Sequence, residues 1–188
     1  MHIVLYFGSF NPIHTGHLII ASAVVERTEV DALWFVVSPH NPFKNEQDLW
    51  DEHVRLDLVK KSISNDNRLS CCEIEYTLPK PSYTIDTLAA LKKRFPAYTF
   101  SILIGSDNVE QLPKWKAFDE LIANHQIYVY PRLNFPTESL SHPHMVALEA
   151  PIIELSATYI RQLIQEKKSV KYIVPSVVEE YIQTHLYI

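Results

Sequence analysis

The chain has 188 residues, of which 47% are hydrophobic and 21% charged, and a formal charge of −5 with its nine histidines neutral. That length can bury roughly 70% of the unfolded surface in one core, so a single domain over 1–188 is expected, with no disulfide or metal staple. An acidic chain without a Lys/Arg-rich stripe argues against nucleic acid, the lack of 18 consecutive apolar residues argues against a membrane span, and the lack of a basic leader with a cleavage site makes the cytoplasm the default location.

Taken in chain order, Ile3 to Phe7 is almost continuously apolar, the pattern of a parallel strand buried on both faces, and Ile19, Ile20, Ala23 and Val24 recur at helical spacing within a predicted helix over 16–27. Between them lies Gly8-Ser9-Phe10-Asn11-Pro12-Ile13-His14-Thr15-Gly16-His17-Leu18, which holds two of the three glycines in the chain. Average composition would supply about 13. Glycine this scarce is expected where a side chain would obstruct the backbone or a ligand, and a strand–turn–helix unit aims helix N–H groups and the dipole at an anion beyond the strand. His14 and His17 add imidazoles to that end, so the segment reads as a phosphate site. The alternatives are structural histidines or half of a metal site, but no third ligand accompanies them at a known spacing.

A strand is expected at 32–37, followed by the loop Ser38 to Lys44 with His40 and Lys44 as loop candidates, a helix at 51–63 and a strand at 69–74. Cys71 and Cys72 are adjacent on that strand and should point to opposite faces, as reduced packing residues. A helix over 84–94 opens at Tyr83-Thr84, a strand over 98–104 closes on Gly105-Ser106-Asp107, and a helix over 115–123 begins at Trp115. Strands at 126–130 and 145–149 and helices at 157–166 and 176–185 complete the pattern. Ten prolines mark connections or, at Pro175, a helix start. Alternation of this kind predicts an α/β fold with a doubly wound parallel sheet. Ser156 and Thr158 suit a helix N-terminus, and Arg161, one turn on, can reach an anion held there. Trp115 reads as a packing residue or a stacking platform, and Asp107 as a helix cap or a ribose ligand.

Two of these segments match a family. Gly8 to Leu18, with its H-x-G-H core, resembles the signature of the nucleotidyltransferase superfamily, and Leu155-Ser-Ala-Thr-Tyr-Ile-Arg161 resembles its second signature, S-x-T-x-I-R. Ser82-Tyr-Thr-Ile-Asp-Thr-Leu88, Ile104-Gly-Ser-Asp107 and Trp115 are similar to blocks of the bacterial nicotinate mononucleotide adenylyltransferases. The resemblance runs from about Phe7 to Tyr181 and implies a Rossmann-like nucleotidyltransferase fold. It implies transfer of AMP from ATP to nicotinate mononucleotide, giving deamido-NAD and pyrophosphate, by in-line attack without a covalent enzyme intermediate.

Carried onto this chain, the resemblance makes His14 and His17 donors to the transferring and departing phosphate oxygens, and puts Lys44 and Arg161 on the β and γ phosphates. Gly8, Ser9, Phe10, Gly16, Gly105, Ser156 and Thr158 would surround the nucleotide, with Asp107 at a ribose hydroxyl. The backbone near Thr84 would receive the pyridine carboxylate, and Trp115 would stack on the ring. Mg2+ would accompany ATP, held by phosphate oxygens and water rather than by protein ligands. An acceptor pocket of N–H groups without a nearby acidic side chain should favour nicotinate over nicotinamide. Two other readings are a related adenylyl- or cytidylyltransferase with another acceptor, such as phosphopantetheine, and a non-catalytic nucleotide sensor. The blocks around Thr84 and Trp115 argue against the first, and both histidines together with Arg161 argue against the second.

Overall fold

The structure is a computed structural model that describes residues 1–39, 49–137, 140 and 142–187. Its centre is a six-stranded sheet of β1 (His2–Gly8), β2 (Ala32–Val37), β3 (Leu69–Cys72), β4 (Thr99–Gly105), β5 (Ile127–Tyr130) and β6 (Met145–Ala147). The order is β3-β2-β1-β4-β5-β6, and every adjacent pair is parallel. Helices α1 (Thr15–Arg27), α2 (Glu52–Ser62), α3 (Thr84–Arg94), α4 (Phe118–Asn124), α5 (Ala157–Gln165) and α6 (Ser176–His185) cover the two faces.

The alternation along β1 states the doubly wound logic directly. Val4 and Tyr6 belong to a core shared with Val24 of α1, Leu56 and Val59 of α2, Ile160 of α5 and Ile182 of α6. Ile3 and Leu5 belong to the opposite core, with Leu88 and Leu91 of α3 and Leu121 of α4. Successive strand residues point to opposite faces, so both faces must be apolar and both must be roofed by helices. The strand order reverses between β1 and β4, and the crevice beyond the carboxyl ends of those two strands is where ligands of open α/β sheets bind.

Eleven of the twelve expected elements fall within about two residues of their observed bounds. The expected helix at 115–123 is the exception: a 3₁₀ helix spans Ser106–Lys114 with Pro113 inside it, and α4 begins only at Phe118. Trp115 therefore ends a 3₁₀ helix rather than opening an α-helix. Cys71 is half-buried and Cys72 buried, both unbridged, and burial pushes their thiols up to about 12 and about 11, as suits packing residues. Among the described residues no helix is long and apolar enough to cross a membrane.

Candidate active site

His14 is the N-cap of α1, in extended conformation, and the chain reaches it through a cis Asn11–Pro12 bond and Phe10 at φ 43°. Its backbone N–H donates to His17 Nδ1 at 3.2 Å, and the two imidazoles stack with centroids 3.6 Å apart at 22°. Because His17 accepts on Nδ1, its neutral ring carries the proton on Nε2, which makes Nε2 a donor. The tautomer is set by the turn.

His14 is only 4% exposed, and its Nδ1 is buried with no hydrogen-bond partner among the described residues. Burial, with the nearby Arg132 guanidinium second, pushes this imidazole down to about 3. In the fold, His14 is a neutral donor or acceptor at physiological pH. This has a sign for stability. The unfolded ring takes up a proton as pH falls through its ordinary 6.5, but the folded ring does so only near 3. This group's contribution is complete above 6.5 and is lost on acidification, at about 1.4 kcal/mol per pH unit, until it levels off near the folded value. Between pH 7 and pH 5, denaturant titrations should cost the wild type about 2 kcal/mol more than His14→Phe, which has nothing to protonate; equal losses would refute the buried neutral ring.

The three glycines have one role in common. A Cβ on Gly8 would lie 2.8 Å from the Phe10 ring, one on Gly16 would lie 3.0 Å from His14 Nδ1, and one on Gly105 would collide with Asp107 Oδ1. None has positive φ. Each lets a side chain two residues away fold back over it, and Gly16 makes room for the His14 ring and the Ile153 side chain. Phe10 is 3% exposed, and its ring meets His17 edge-on at 5.0 Å, so its side chain packs under the imidazoles. The helix N-terminus is also less open than the sequence implied, since the Thr15 N–H already donates to the Ile173 carbonyl.

Beyond the ends of β1 and β4 lies an open cavity of about 200 Å³. The structure brings Gly8, Thr84, Gly105 and Trp115 together on its wall, four residues far apart in sequence. Tyr6 and Tyr130 also line it, and Tyr6 packs edge-on against His17 at 6.0 Å, so the imidazole pair lies one aromatic layer from the cavity. Asp107 does not cap the helix after Gly105; it lies 3.7 Å from the Arg132 Nε and accepts from the Asn108 side chain.

The second motif docks on the first. Arg161 Nη1 donates to the Asn11 carbonyl at 2.9 Å and Nη2 to Thr158 Oγ1 at 3.3 Å, while Ser156 Oγ accepts from the Tyr159 N–H as the α5 N-cap. Ser156 is thus a cap, Thr158 a support for Arg161, and of the five guanidinium N–H groups of Arg161 one is committed to the turn and one to Thr158. Lys44 and His40 lie outside the described residues.

Three residues escaped the sequence reading. Arg132 follows β5, with its side chain over the Tyr130 ring and its Nη1 on the Ile153 carbonyl. Arg55, 1% exposed, donates to the carbonyls of Ser9, Ser38, Pro39 and Trp50. Glu75, also 1% exposed, lines the cavity, so an acidic side chain does stand in the pocket where none was expected. The position of Arg132 just past a strand end was a usable signal; Arg55 and Glu75 lie in segments that resemble ordinary surface helix and turn.

The sheet order, the reversal at β1 and β4 and the imidazole-bearing turn define a Rossmann-like nucleotidyltransferase fold. A family model described as "Cytidylyltransferase-like" matches residues 5–163. A "Probable nicotinate-nucleotide adenylyltransferase" of Flavobacterium psychrophilum is 46% identical over 185 residues, covering 97% of this chain and 96% of that one. Its counterpart in Cytophaga hutchinsonii is 44% identical over 188 residues, covering 100% and 98%. The solved structure of Plasmodium falciparum nicotinic acid mononucleotide adenylyltransferase complexed with NaAD superposes with a TM-score of 0.83 at 19% identity, covering 98% and 95% of the two chains. The chain belongs to the nicotinate-nucleotide adenylyltransferases of the cytidylyltransferase-like family.

Proposed function

We propose that the protein transfers the adenylyl group of ATP to nicotinate mononucleotide, forming deamido-NAD and releasing pyrophosphate. The observation that carries this reading is the stacked His14–His17 pair at the carboxyl end of β1, beside a cavity whose far wall is the α3 entrance and Trp115. The mononucleotide phosphate is already an anion, so its oxygen forms the new P–O bond at the α-phosphorus of ATP as the bond to pyrophosphate breaks. No general base is required. The work left to the protein is alignment and stabilisation of charge on the transferring and departing oxygens. His17 serves as a preset Nε2–H donor, His14 as a second, uncharged one, and Arg161 and Lys44 as cations for the leaving phosphates.

Among the described residues no group of three His, Cys, Asp or Glu side chains is placed to hold a metal ion. Magnesium would enter with ATP, since the ion keeps several waters and takes phosphate oxygens readily. Bound there, it would neutralise charge on the β and γ phosphates. The direct test is pyrophosphate release with ATP and a panel of acceptors: pyridine mononucleotides, phosphopantetheine and phosphorylated alcohols. Release with phosphopantetheine alone, or with none of them, would refute the reading.

Arg161→Ala is expected to raise the KM for ATP about tenfold, by loss of one charge-assisted contact. Its bond to the Asn11 carbonyl adds a structural cost of about 1.5 kcal/mol, or roughly 3–6 °C in Tm. A larger fall in Tm with normal kinetics would make Arg161 a scaffold residue only.

Acceptor choice follows from the cavity wall. Lys116, whose ammonium pairs with Asp86 at 2.7 Å and lies 4.9 Å over the Tyr83 ring, lines the cavity beside Trp115 and Thr84, and this cation favours a carboxylate-bearing ring. The wild type should prefer nicotinate over nicotinamide mononucleotide in kcat/KM. Trp115→Ala should weaken both acceptors and leave the KM for ATP nearly unchanged, as loss of a stacking surface common to both requires. Equal kcat/KM values, or a preference for the amide, would sink this account of the pocket.

A further inference from the structure

Glu75 is placed where a carboxylate is costly. It sits in the 3₁₀ turn Ile74–Thr77 after β3, is 1% exposed, and forms part of the cavity wall. Burying such a group without compensation costs several kcal/mol, so its partners should explain its presence. There are two. Ser82 Oγ donates to Oε2 at 2.7 Å, and Thr87 Oγ1 donates to Oε1 at 2.9 Å.

Those hydroxyls flank the start of α3. Ser82 precedes the N-cap Tyr83, Thr87 lies in the first turn, and Thr84 stands between them on the cavity wall. Tyr83 supplies no side-chain cap, and its carbonyl accepts the N–H groups of Asp86 and Thr87. With no side-chain cap from Tyr83, the helix entrance is held by the Thr87 hydroxyl, which also lies 3.2 Å from the Tyr83 carbonyl, and by one carboxylate from a separate turn, which grips the segment at both ends. A binding role for Glu75 itself would leave at least one of its oxygens turned to a donor on the ligand. Instead both of its oxygens are directed to hydroxyls of the protein, and its negative charge would repel the carboxylate of the acceptor ring.

We propose that Glu75 is a positioning residue for the acceptor: by fixing Ser82 and Thr87 together it sets the N–H groups at the α3 entrance in the geometry that receives the pyridine carboxylate. This rests on the reading of the cavity as the acceptor site. It differs from a stabilising role because the affected constant is that of one substrate only.

The test is steady-state kinetics with ATP and nicotinate mononucleotide on the wild type, Glu75→Ala, Glu75→Gln, Ser82→Ala and Thr87→Val, with Tm measured in parallel. Glu75→Ala should raise the acceptor KM about tenfold or more while the KM for ATP stays within about twofold, because the lost hydrogen bonds orient only one site. Glu75→Gln, which keeps one acceptor oxygen and the same shape, should recover most of that loss. Ser82→Ala and Thr87→Val each release one end of the grip and should raise the acceptor KM about threefold; they decide the matter if Glu75→Ala does not fold. The inference is overturned if both KM values rise together, if Tm falls with both KM values unchanged, or if the Ser82 and Thr87 variants bind the acceptor normally. A wild type that transfers AMP to no pyridine mononucleotide would instead overturn the reading of function, and this inference with it.

Discussion

His17→Ala is expected to lower kcat by about 10²–10³-fold with a much smaller change in the KM for ATP, the loss typical of one preorganised donor aimed at growing negative charge. The geometry explains why the effect should fall on kcat. The ring is held by the His14 N–H on Nδ1 and by stacking on His14, so Nε2–H is oriented before substrate arrives. A donor that need not reorganise contributes most where charge is greatest, in the transition state. Alanine also removes the partner of the His14 N–H at the start of α1. His17→Gln separates the two losses, because a glutamine at the third helical position can reach back to the N-cap N–H. It should restore Tm without restoring kcat. Normal turnover in either variant would refute the role of His17, and the double variant with His14→Ala should cost less than the product of the singles, since the rings act as one stacked unit.

Arg55→Met is expected to lower stability by about 4 kcal/mol, or roughly 8–16 °C in Tm for a chain of this size. The guanidinium is 1% exposed and donates to four backbone carbonyls: Ser9 at 2.6 Å, Ser38 at 2.9 Å, Pro39 at 3.0 Å and Trp50 at 3.0 Å. Methionine fills much of the volume and leaves those acceptors without a donor, so the cost is mainly one of unmet hydrogen bonds. Because Ser9 belongs to the β1–α1 turn and Ser38–Pro39 to the end of β2, the arginine ties the glycine turn to its neighbour across the sheet. Asn11 adds a second tie, its Oδ1 accepting from the Trp50 N–H at 2.9 Å. Arg55→Lys offers donors without the planar fork and should give an intermediate loss. Thermal melts check both variants; a change under about 2 °C for Arg55→Met would remove Arg55 from the scaffold.

Residues whose role depends on near neighbours in sequence were read correctly for that reason. The buried-strand runs, the helical spacing after Thr15 and the cap at Ser156 all act within a few residues. Alternation of strands and helices then leaves a doubly wound parallel sheet as the only economical way to bury both faces. Even the two motifs that meet, Asn11 and Arg161, were each visible as local units 150 residues apart.

What the sequence alone could not decide was which groups lose water and what they find instead. Glycine scarcity pointed to the right turn, but only the packed rings of Phe10 and His14 show what a Cβ at Gly8 or Gly16 would press against. Imidazole chemistry was legible, whereas the charge of His14 was not, because its depressed pKa comes from burial and from Arg132, which stands in the distant segment after β5. Arg55 and Glu75 look like ordinary surface charges in one dimension. Tertiary structure buries each at 1% exposure and assigns its partners, since desolvation makes a charged group's role depend on donors and acceptors contributed by distant segments.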